Sequence, residues 1–222
     1  MIGVASPRVA RSALVLPTVL LLAMQVAACS PRGDGPRNEQ SATKANIDSL
    51  PRSLVVADRT YPLDSTTTIG EVAARLGSAG AMTRRGDTTS IGLCDTIGHV
   101  RLDLLSDELG GSGHRLLGFD LRSLPASGAL PDGCSQVGSA LGSISTENGV
   151  ALGQERQDIV GRLGQPTVDS GDSLEFVRIV PHEAGSANVP AGTQAYDELS
   201  RVIVWLREGR VVRLLVWYVR TT

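Results

Sequence analysis

Sequence features that mark several common functional classes are scarce in this chain. It contains only three histidines, His99, His114 and His182, and these form no HExxH motif; no CxxC pair is present either. Dedicated metal sites usually show such spacings, so we expect no metal and no cofactor. The GxSxG sequence of the α/β-hydrolase nucleophile elbow is also missing. These absences favour a protein without catalytic activity.

Excess positive charge and aromatic residues are also lacking. The formal net charge is −2, and aromatic residues make up 3% of the chain. Nucleic-acid binding usually requires a basic surface, and sugar or base stacking requires aromatic platforms. We therefore expect no nucleic-acid partner, and the composition does not indicate a small-molecule ligand.

The first 28 residues have the features of an export signal. Arg8 and Arg11 give a positive start, and Ala13–Ala28 is almost wholly apolar. This run is shorter than the roughly 20 residues that a membrane-spanning helix needs. It ends in Val26-Ala27-Ala28-Cys29, which resembles a bacterial lipobox. We expect residues 1–28 to be a signal peptide and Cys29 to carry the lipid, including palmitate; ordinary cleavage before Cys29 is the alternative.

A polar segment follows the predicted anchor. Residues 29–53 are rich in Ser, Pro, Gly, Asn and charges, which is typical of a flexible tether. Ser30 stands where an aspartate would retain a lipoprotein at the inner membrane. We therefore expect attachment to the outer membrane of the cell envelope, with the domain facing the periplasm.

The cysteine count suits an exported protein. With Cys29 acylated, Cys94 and Cys134 remain as one possible pair, and proteins of the envelope meet oxidants. We expect a disulfide bond between them; two free buried thiols are the alternative.

Two stretches with the same pattern predict two helices. Thr68–Leu76 and Glu155–Leu163 each contain an acid, Val or Ile, two further residues and Arg-Leu, and a glycine follows each of them. Thr68 and Glu71 have the spacing of a capping box, and the glycines suit helix ends. We interpret these stretches as the helices of a duplicated unit.

Alternating apolar residues predict strands after each helix. His99–Leu104 alternates strictly, with Val100, Leu102 and Leu104 facing inward and the residues between them facing water. Further strands are predicted at Leu54–Val56, Leu117–Leu121, Leu174–Val180, Arg201–Leu206 and Val211–Val219.

The predicted fold class is α+β. The globular domain, residues 54–222, would contain two repeats, 54–122 and 143–222, joined by a connector at 123–142. Each repeat would pack one or two helices on an antiparallel sheet of three or four strands.

The second repeat resembles a known family. Leu152-Gly153, Asp158-Ile159-Val160, Arg162-Leu163-Gly164 and Pro166, followed by strands, are similar to the small outer-membrane lipoproteins related to BamE (the SmpA/OmlA domain). The tandem arrangement resembles the β-lactamase inhibitor protein, which doubles a similar unit. The resemblance implies a helix-plus-sheet fold more than a function.

The loop Ser106–His114 carries the chemistry of a hydrolase in its sequence. Asp107, Ser112 and His114 provide an acid, a nucleophile and a base. A triad needs a rigid scaffold, whereas this loop is rich in glycine, so we expect no catalytic residues here. An envelope hydrolase that uses this loop remains an alternative, as does a lipoprotein that binds a small ligand between the repeats.

The final hairpin predicts a binding surface. With Glu208-Gly209 as its turn, the hairpin is apolar on both faces, whereas a sheet covered on one side only usually alternates. One face would carry Val204, Arg213, Leu215 and Trp217. We expect these four residues to contact an envelope protein, because Trp and Arg are enriched at binding hot spots; core packing against the first repeat is the alternative. The predicted function is assembly, scaffolding or inhibition.

Overall fold

The computed structural model describes residues 50–126, 129–138, 141, 143–185 and 194–221, all of which belong to a unit spanning Ser41–Thr222. The signal segment, Cys29 and the tether up to residue 49 lie outside the described residues, so their assignments remain predictions. Among the described residues, no helix has the length and apolar character that crossing a membrane requires.

Two short α-helices form in the described part of the chain, where the sequence predicts them. Helix α1 covers Ile69–Arg75 and helix α2 covers Arg156–Leu163. The Thr68 hydroxyl accepts the Glu71 N–H at 3.1 Å, and a Glu71 carboxylate oxygen accepts the Thr68 N–H at 2.9 Å. The predicted capping box is therefore confirmed. Helix α2 ends at Gly164, where a φ of 84° favours glycine.

A small antiparallel sheet contains three strands. They are β1 (Ser53–Val56), β2 (Arg59–Pro62) and β8 (Ile144–Thr146), in the order β2-β1-β8. The predicted strand at Leu54–Val56 is confirmed, but it belongs to this separate sheet.

A large sheet contains the other nine strands of the described residues. They are β3 (Met82–Arg85), β4 (Thr88–Asp95), β5 (Val100–Ser106), β6 (Gly118–Ser123), β7 (Cys134–Gln136), β9 (Val168–Asp169), β10 (Ser173–His182), β11 (Tyr196–Arg207) and β12 (Arg210–Thr221). Eight follow the antiparallel order β3-β4-β5-β6-β12-β11-β10-β9, and β7 pairs with β4 in parallel. The meander β3–β6 and the meander β9–β12 therefore meet at the β6–β12 pair.

The α+β class is confirmed, with sheet as its dominant element. The strands that follow the two helices join one continuous sheet, where the sequence predicts a sheet for each repeat. The connector predicted at 123–142 contains strand β7.

One hydrophobic core lies against a single face of the large sheet. Helices α1 and α2 and the small sheet contribute Val72, Ile159 and Leu54 to it, among others. The large sheet contributes alternate residues such as Leu102 and Val204, both fully buried. Because side chains alternate along a strand, the residues between these point to the opposite face.

The register of the β11–β12 hairpin differs from the prediction. Leu206 pairs with Val211 as expected, but a bulge then leaves Val212 without a partner, and Trp205 pairs with Arg213. One extra residue exchanges the two faces of a strand. Val204 therefore shares the core face with Leu214 of β12 and does not share a face with Arg213.

Candidate functional site

The large sheet presents one face that neither helix covers. We call its outward residues on five neighbouring strands the open face. They are Arg101, Asp103 and Leu105 of β5; Gly118, Asp120 and Arg122 of β6; Arg213, Leu215 and Trp217 of β12; Arg201, Ile203 and Trp205 of β11; and Ser173, Glu175 and Val177 of β10.

The strand register arranges charges of one sign in a row. Arg101, Arg122 and Arg213 lie side by side on β5, β6 and β12. Asp103 and Asp120 lie side by side in the next row. Like charges directly opposite each other on neighbouring strands are destabilising. Each arginine therefore pairs with an aspartate of the next row, either on its own strand or on the neighbouring one.

These five residues form a connected ion network. Arg101 donates to both carboxylate oxygens of Asp103, with Nε–Oδ2 at 2.8 Å and Nη2–Oδ1 at 2.7 Å. Nη2 of Arg122 lies 2.5 Å from Asp120 and 3.8 Å from Asp103. Nη2 of Arg213 lies 2.6 Å from Asp120. The hydrogen bond to Asp120 raises the pKa of Arg122 above the usual arginine value, so its guanidinium stays charged.

Burial makes the aspartates dependent on their arginines. Asp103 is 5% exposed and Asp120 is 3% exposed. An unpaired buried charge is costly, so each carboxylate needs at least one guanidinium. Asp120 has two, Arg122 and Arg213, and Asp103 has Arg101 with Arg122 at a longer distance.

Both tryptophans of the chain lie on the open face. The guanidinium carbon of Arg213 lies 4.1 Å from the centroid of the Trp205 ring, which is a cation–π contact. The Trp217 ring lies close to Gly118, where a Cβ atom would stand 2.7 Å from Cε3 of the indole. Both rings are half-buried, and they flank Leu215 and Ile203 in the middle row.

A groove of about 780 Å³ extends the open face toward β3. Its lining includes Arg85, Arg101, Arg122, Leu105 and the segment Asp132-Gly133. Nη1 of Arg101 donates to the Asp132 carbonyl at 3.3 Å. The predicted Cys94–Cys134 disulfide is present and ties this segment to β4.

Three of the four predicted contact residues lie together. Arg213, Leu215 and Trp217 share the open face. The prediction that Val204 shares this face is wrong. Val204 is 0% exposed and lies in the core on the opposite face, because the bulge moves β12 by one residue relative to β11. Trp205 occupies the position that the sequence prediction gave to Val204.

Alternation along single strands does not reveal the ion network. The pattern predicts that Arg101 and Asp103 face water, yet Asp103 is buried and Arg101 is half-buried. A signal was available: Arg-x-Asp at 101–103 and Asp-x-Arg at 120–122 are mirror images on two neighbouring predicted strands. Antiparallel pairing places such motifs side by side.

The loop Ser106–His114 does not bring its acid, nucleophile and base together by hydrogen bonds. The Asp107 carboxylate accepts the Leu109 N–H at 2.8 Å and caps a 3₁₀ turn at Glu108–Gly110. Ser112 is exposed, and Nδ1 of His114 has no hydrogen-bond partner among the described residues. The absence of catalysis at this loop stays a prediction.

A second buried carboxylate, Glu198, lies near the opposite end of β11. Nη2 of Arg52 is 2.9 Å from it, and His182 and Arg220 are each 3.5 Å away. Burial raises the pKa of Glu198, but the Tyr218 hydrogen bond and the charges of these three residues outweigh it, so the pKa is lowered. This cluster connects Arg52, just before β1, to strands β10, β11 and β12.

The described part of the chain contains no group of three or more His, Cys, Asp or Glu side chains that could hold a metal ion. No protein-family model, no curated protein and no solved structure matches the chain.

Proposed function

We propose that this protein is a lipid-anchored cell-envelope protein that binds another protein through its open face and catalyses no reaction. The observation that carries this proposal is the position of the two tryptophans of the chain, both half-exposed on the sheet face that the helices leave uncovered. Arg213 lies directly opposite Trp205 in the register and contacts its ring, and Leu215 separates Arg213 from Trp217 along β12. Trp and Arg are the residues most enriched at binding hot spots.

The proposed architecture is a tandem of two related units. In support, α1 is followed along the chain by the meander β3–β6, and α2 is followed by the meander β9–β12. Joining the last strands of two such units yields one wide sheet. This order agrees with the resemblance to the BamE-related lipoproteins and the β-lactamase inhibitor protein, and with a role in assembly, scaffolding or inhibition.

The proposed anchor is the lipid on Cys29, with residues 29–49 as the tether to an outer membrane, because Leu50 is already part of the hydrophobic core. Acyl chains bind a bilayer with roughly 0.8 kcal/mol for each buried methylene, so two or more chains hold a protein nearly permanently. We expect Cys29→Ala to abolish labelling by a palmitate analogue and to release the protein from the membrane fraction. Retained label and membrane attachment would contradict the anchor without touching the open face.

The binding proposal is tested by site-specific photo-crosslinking in intact cells. A photoreactive residue at Leu215, on the open face, should crosslink to a defined envelope protein, whereas one at Thr60 on the exposed edge of the small sheet should not. Trp217→Ala should abolish the Leu215 crosslink. Because Trp217 is only half-buried, the loss of stability should stay well below the roughly 3–5 kcal/mol that truncation of a core tryptophan costs.

The same variant separates the two interpretations of this face. A loss of several kcal/mol in Trp217→Ala, with the crosslink at Leu215 unchanged, would show that the face is ordinary core. Trp205→Ala should be measured beside it, since Trp205 supports Arg213 through the cation–π contact.

A further inference from the structure

The ion network of the open face has an unequal charge balance. It contains three guanidinium groups, those of Arg101, Arg122 and Arg213, and two carboxylates, those of Asp103 and Asp120. One positive charge is therefore left over. The neighbouring Arg201 and Glu175 pair with each other at 2.7 Å and do not compensate it.

The excess charge is located at Arg122 and Arg213. Arg101 donates hydrogen bonds to both carboxylate oxygens of Asp103 and to the Asp132 carbonyl. Arg122 and Arg213 share the single carboxylate of Asp120, and their side chains are 42% and 36% exposed. Neither Nη1 group donates a hydrogen bond to any residue that the structure describes.

Apolar surface adjoins these two arginines. Leu215 follows Arg213 on the open face of β12, and Trp217 follows Leu215. The Trp217 ring lies over the backbone at Gly118, one strand away. A ligand that reaches the arginines therefore meets an aliphatic and then an aromatic side chain along one strand.

We infer that the partner segment bound by the open face is acidic, and that one of its carboxylates binds between Arg122 and Arg213 while a neighbouring apolar side chain rests on Leu215 and Trp217. This inference rests on the proposed function and specifies the partner's chemistry. A third carboxylate would equalise the charges of the network. It would also use the free Nη1 donors in charge-assisted hydrogen bonds.

The chemistry of the surface favours a polypeptide segment over other anions. Small-molecule sites are mostly apolar cavities, whereas this groove is lined mainly by Arg, Asp, Thr and Ser. Nucleic acid would require many uncompensated cations, and the network offers one. An acidic loop with an apolar residue beside its carboxylate matches both halves of the surface.

The test is selection of binders from a random peptide display library on the purified full-length chain. We expect the selected peptides to be enriched in Asp or Glu next to an apolar or aromatic residue. Their affinity should fall as salt concentration rises, because screening weakens exposed charge pairs. Trp217→Ala should abolish their binding.

Arg122→Gln is the decisive variant. It leaves Asp103 with Arg101 and Asp120 with Arg213, so the fold keeps its buried ion pairs while the network becomes neutral. We expect the affinity of the acidic peptides to fall at least about tenfold. Arg122→Lys keeps the charge and should recover part of the binding.

Arg59→Gln is the matched control, because it removes one positive charge from an exposed position of the small sheet, which packs on the core side. It should leave binding unchanged. Peptides that need Trp217 but show no acidic bias, no salt dependence and no response to Arg122→Gln would overturn the acidic partner and leave the proposed function standing. A selection that yields no Trp217-dependent binder would count against the proposed function itself.

Discussion

Gly118 decides how Trp217 is presented on the open face. A Cβ atom at this position would lie 2.4 Å from the Val216 carbonyl oxygen and 2.7 Å from Cε3 of Trp217. Real contacts of this kind do not occur at such distances, so any side chain would displace the ring or the strand. A glycine within a strand often marks a close approach of this kind.

We therefore predict that Gly118→Ala destabilises the protein by about 1–3 kcal/mol, since overpacking forces neighbouring groups to shift. The Trp217 ring should move, and Leu215-directed crosslinking should weaken. Denaturant unfolding and tryptophan fluorescence measure the two effects. The control is Gly161→Ala on α2, where no atom outside the adjacent residues and the helix's own backbone would lie within 4 Å of the new methyl group. That change should stabilise the helix by up to about 1 kcal/mol. Equal responses of the two variants would contradict the role of Gly118.

Sequence alternation predicts the core side of individual strands but not a bulge. In the hairpin, Val211 and Val212 are both apolar, so the pattern does not show which of them is unpaired. The misplacement of Val204 follows from this ambiguity. Asp103 was misplaced for another reason: its burial depends on Arg101 and Arg122, and the second of these lies on a different strand.

At the scale of elements, strand β7 shows how a short segment shapes the site. Its sequence, Cys134–Gln136, has little β-propensity, and it pairs in parallel with β4 inside what the composition predicts to be a loop. The Cys94–Cys134 disulfide could be predicted from cysteine count and export. The pairing that places Asp132-Gly133 beside the groove could not, because it depends on the tertiary position of β4.

We predict that replacing Cys94 and Cys134 together by alanine lowers the free energy of unfolding by about 3–4 kcal/mol, because a cross-link over 40 residues restricts the unfolded chain. Segment 132–136 should also loosen, which weakens binding of acidic peptides at the groove. Thermal melting and peptide titration provide the measurements. Wild-type protein treated with a reductant should behave like the double variant. A variant as stable as the wild type would show that the disulfide does not support the fold.

For the whole molecule, the sequence predicts both helices, six of the twelve strands in the described residues and the α+β class, but not how the meanders join. Both helix patterns and the strand alternation are local. The predicted helix bounds hold within one residue, whereas β11 begins at Tyr196, five residues before the predicted start at Arg201. The contact between β6 and β12 links residues about 95 positions apart, such as Leu121 and Leu214. Local periodicity contains no information about that choice.

The Glu198 cluster connects parts of the molecule that are distant in sequence. Arg52 precedes β1 of the small sheet, while Glu198, His182 and Arg220 belong to β11, β10 and β12 of the large sheet. Glu198 is 6% exposed and lies where these strands end. Its lowered pKa means that the folded state prefers the carboxylate form, so this cluster stabilises the fold at neutral pH.

We predict that the contribution of Glu198 is lost in acid. Because its folded pKa lies below the usual glutamate value of 4.5, the stability it adds is complete above that value and disappears as pH falls through the lower folded pKa. Glu198→Gln should therefore be less stable than the wild type at pH 7, and the gap should narrow as pH falls toward 3. Urea unfolding at successive pH values measures this difference in the free energy of unfolding.

Asp64 provides an opposite control: burial raises its pKa above 3.8, so its protonation in acid favours the folded state. As pH falls, the free energy of unfolding of the wild type should therefore rise relative to that of Asp64→Asn. A Glu198→Gln gap that stays constant over this range would show that the carboxylate does not hold the two sheets together through its charge.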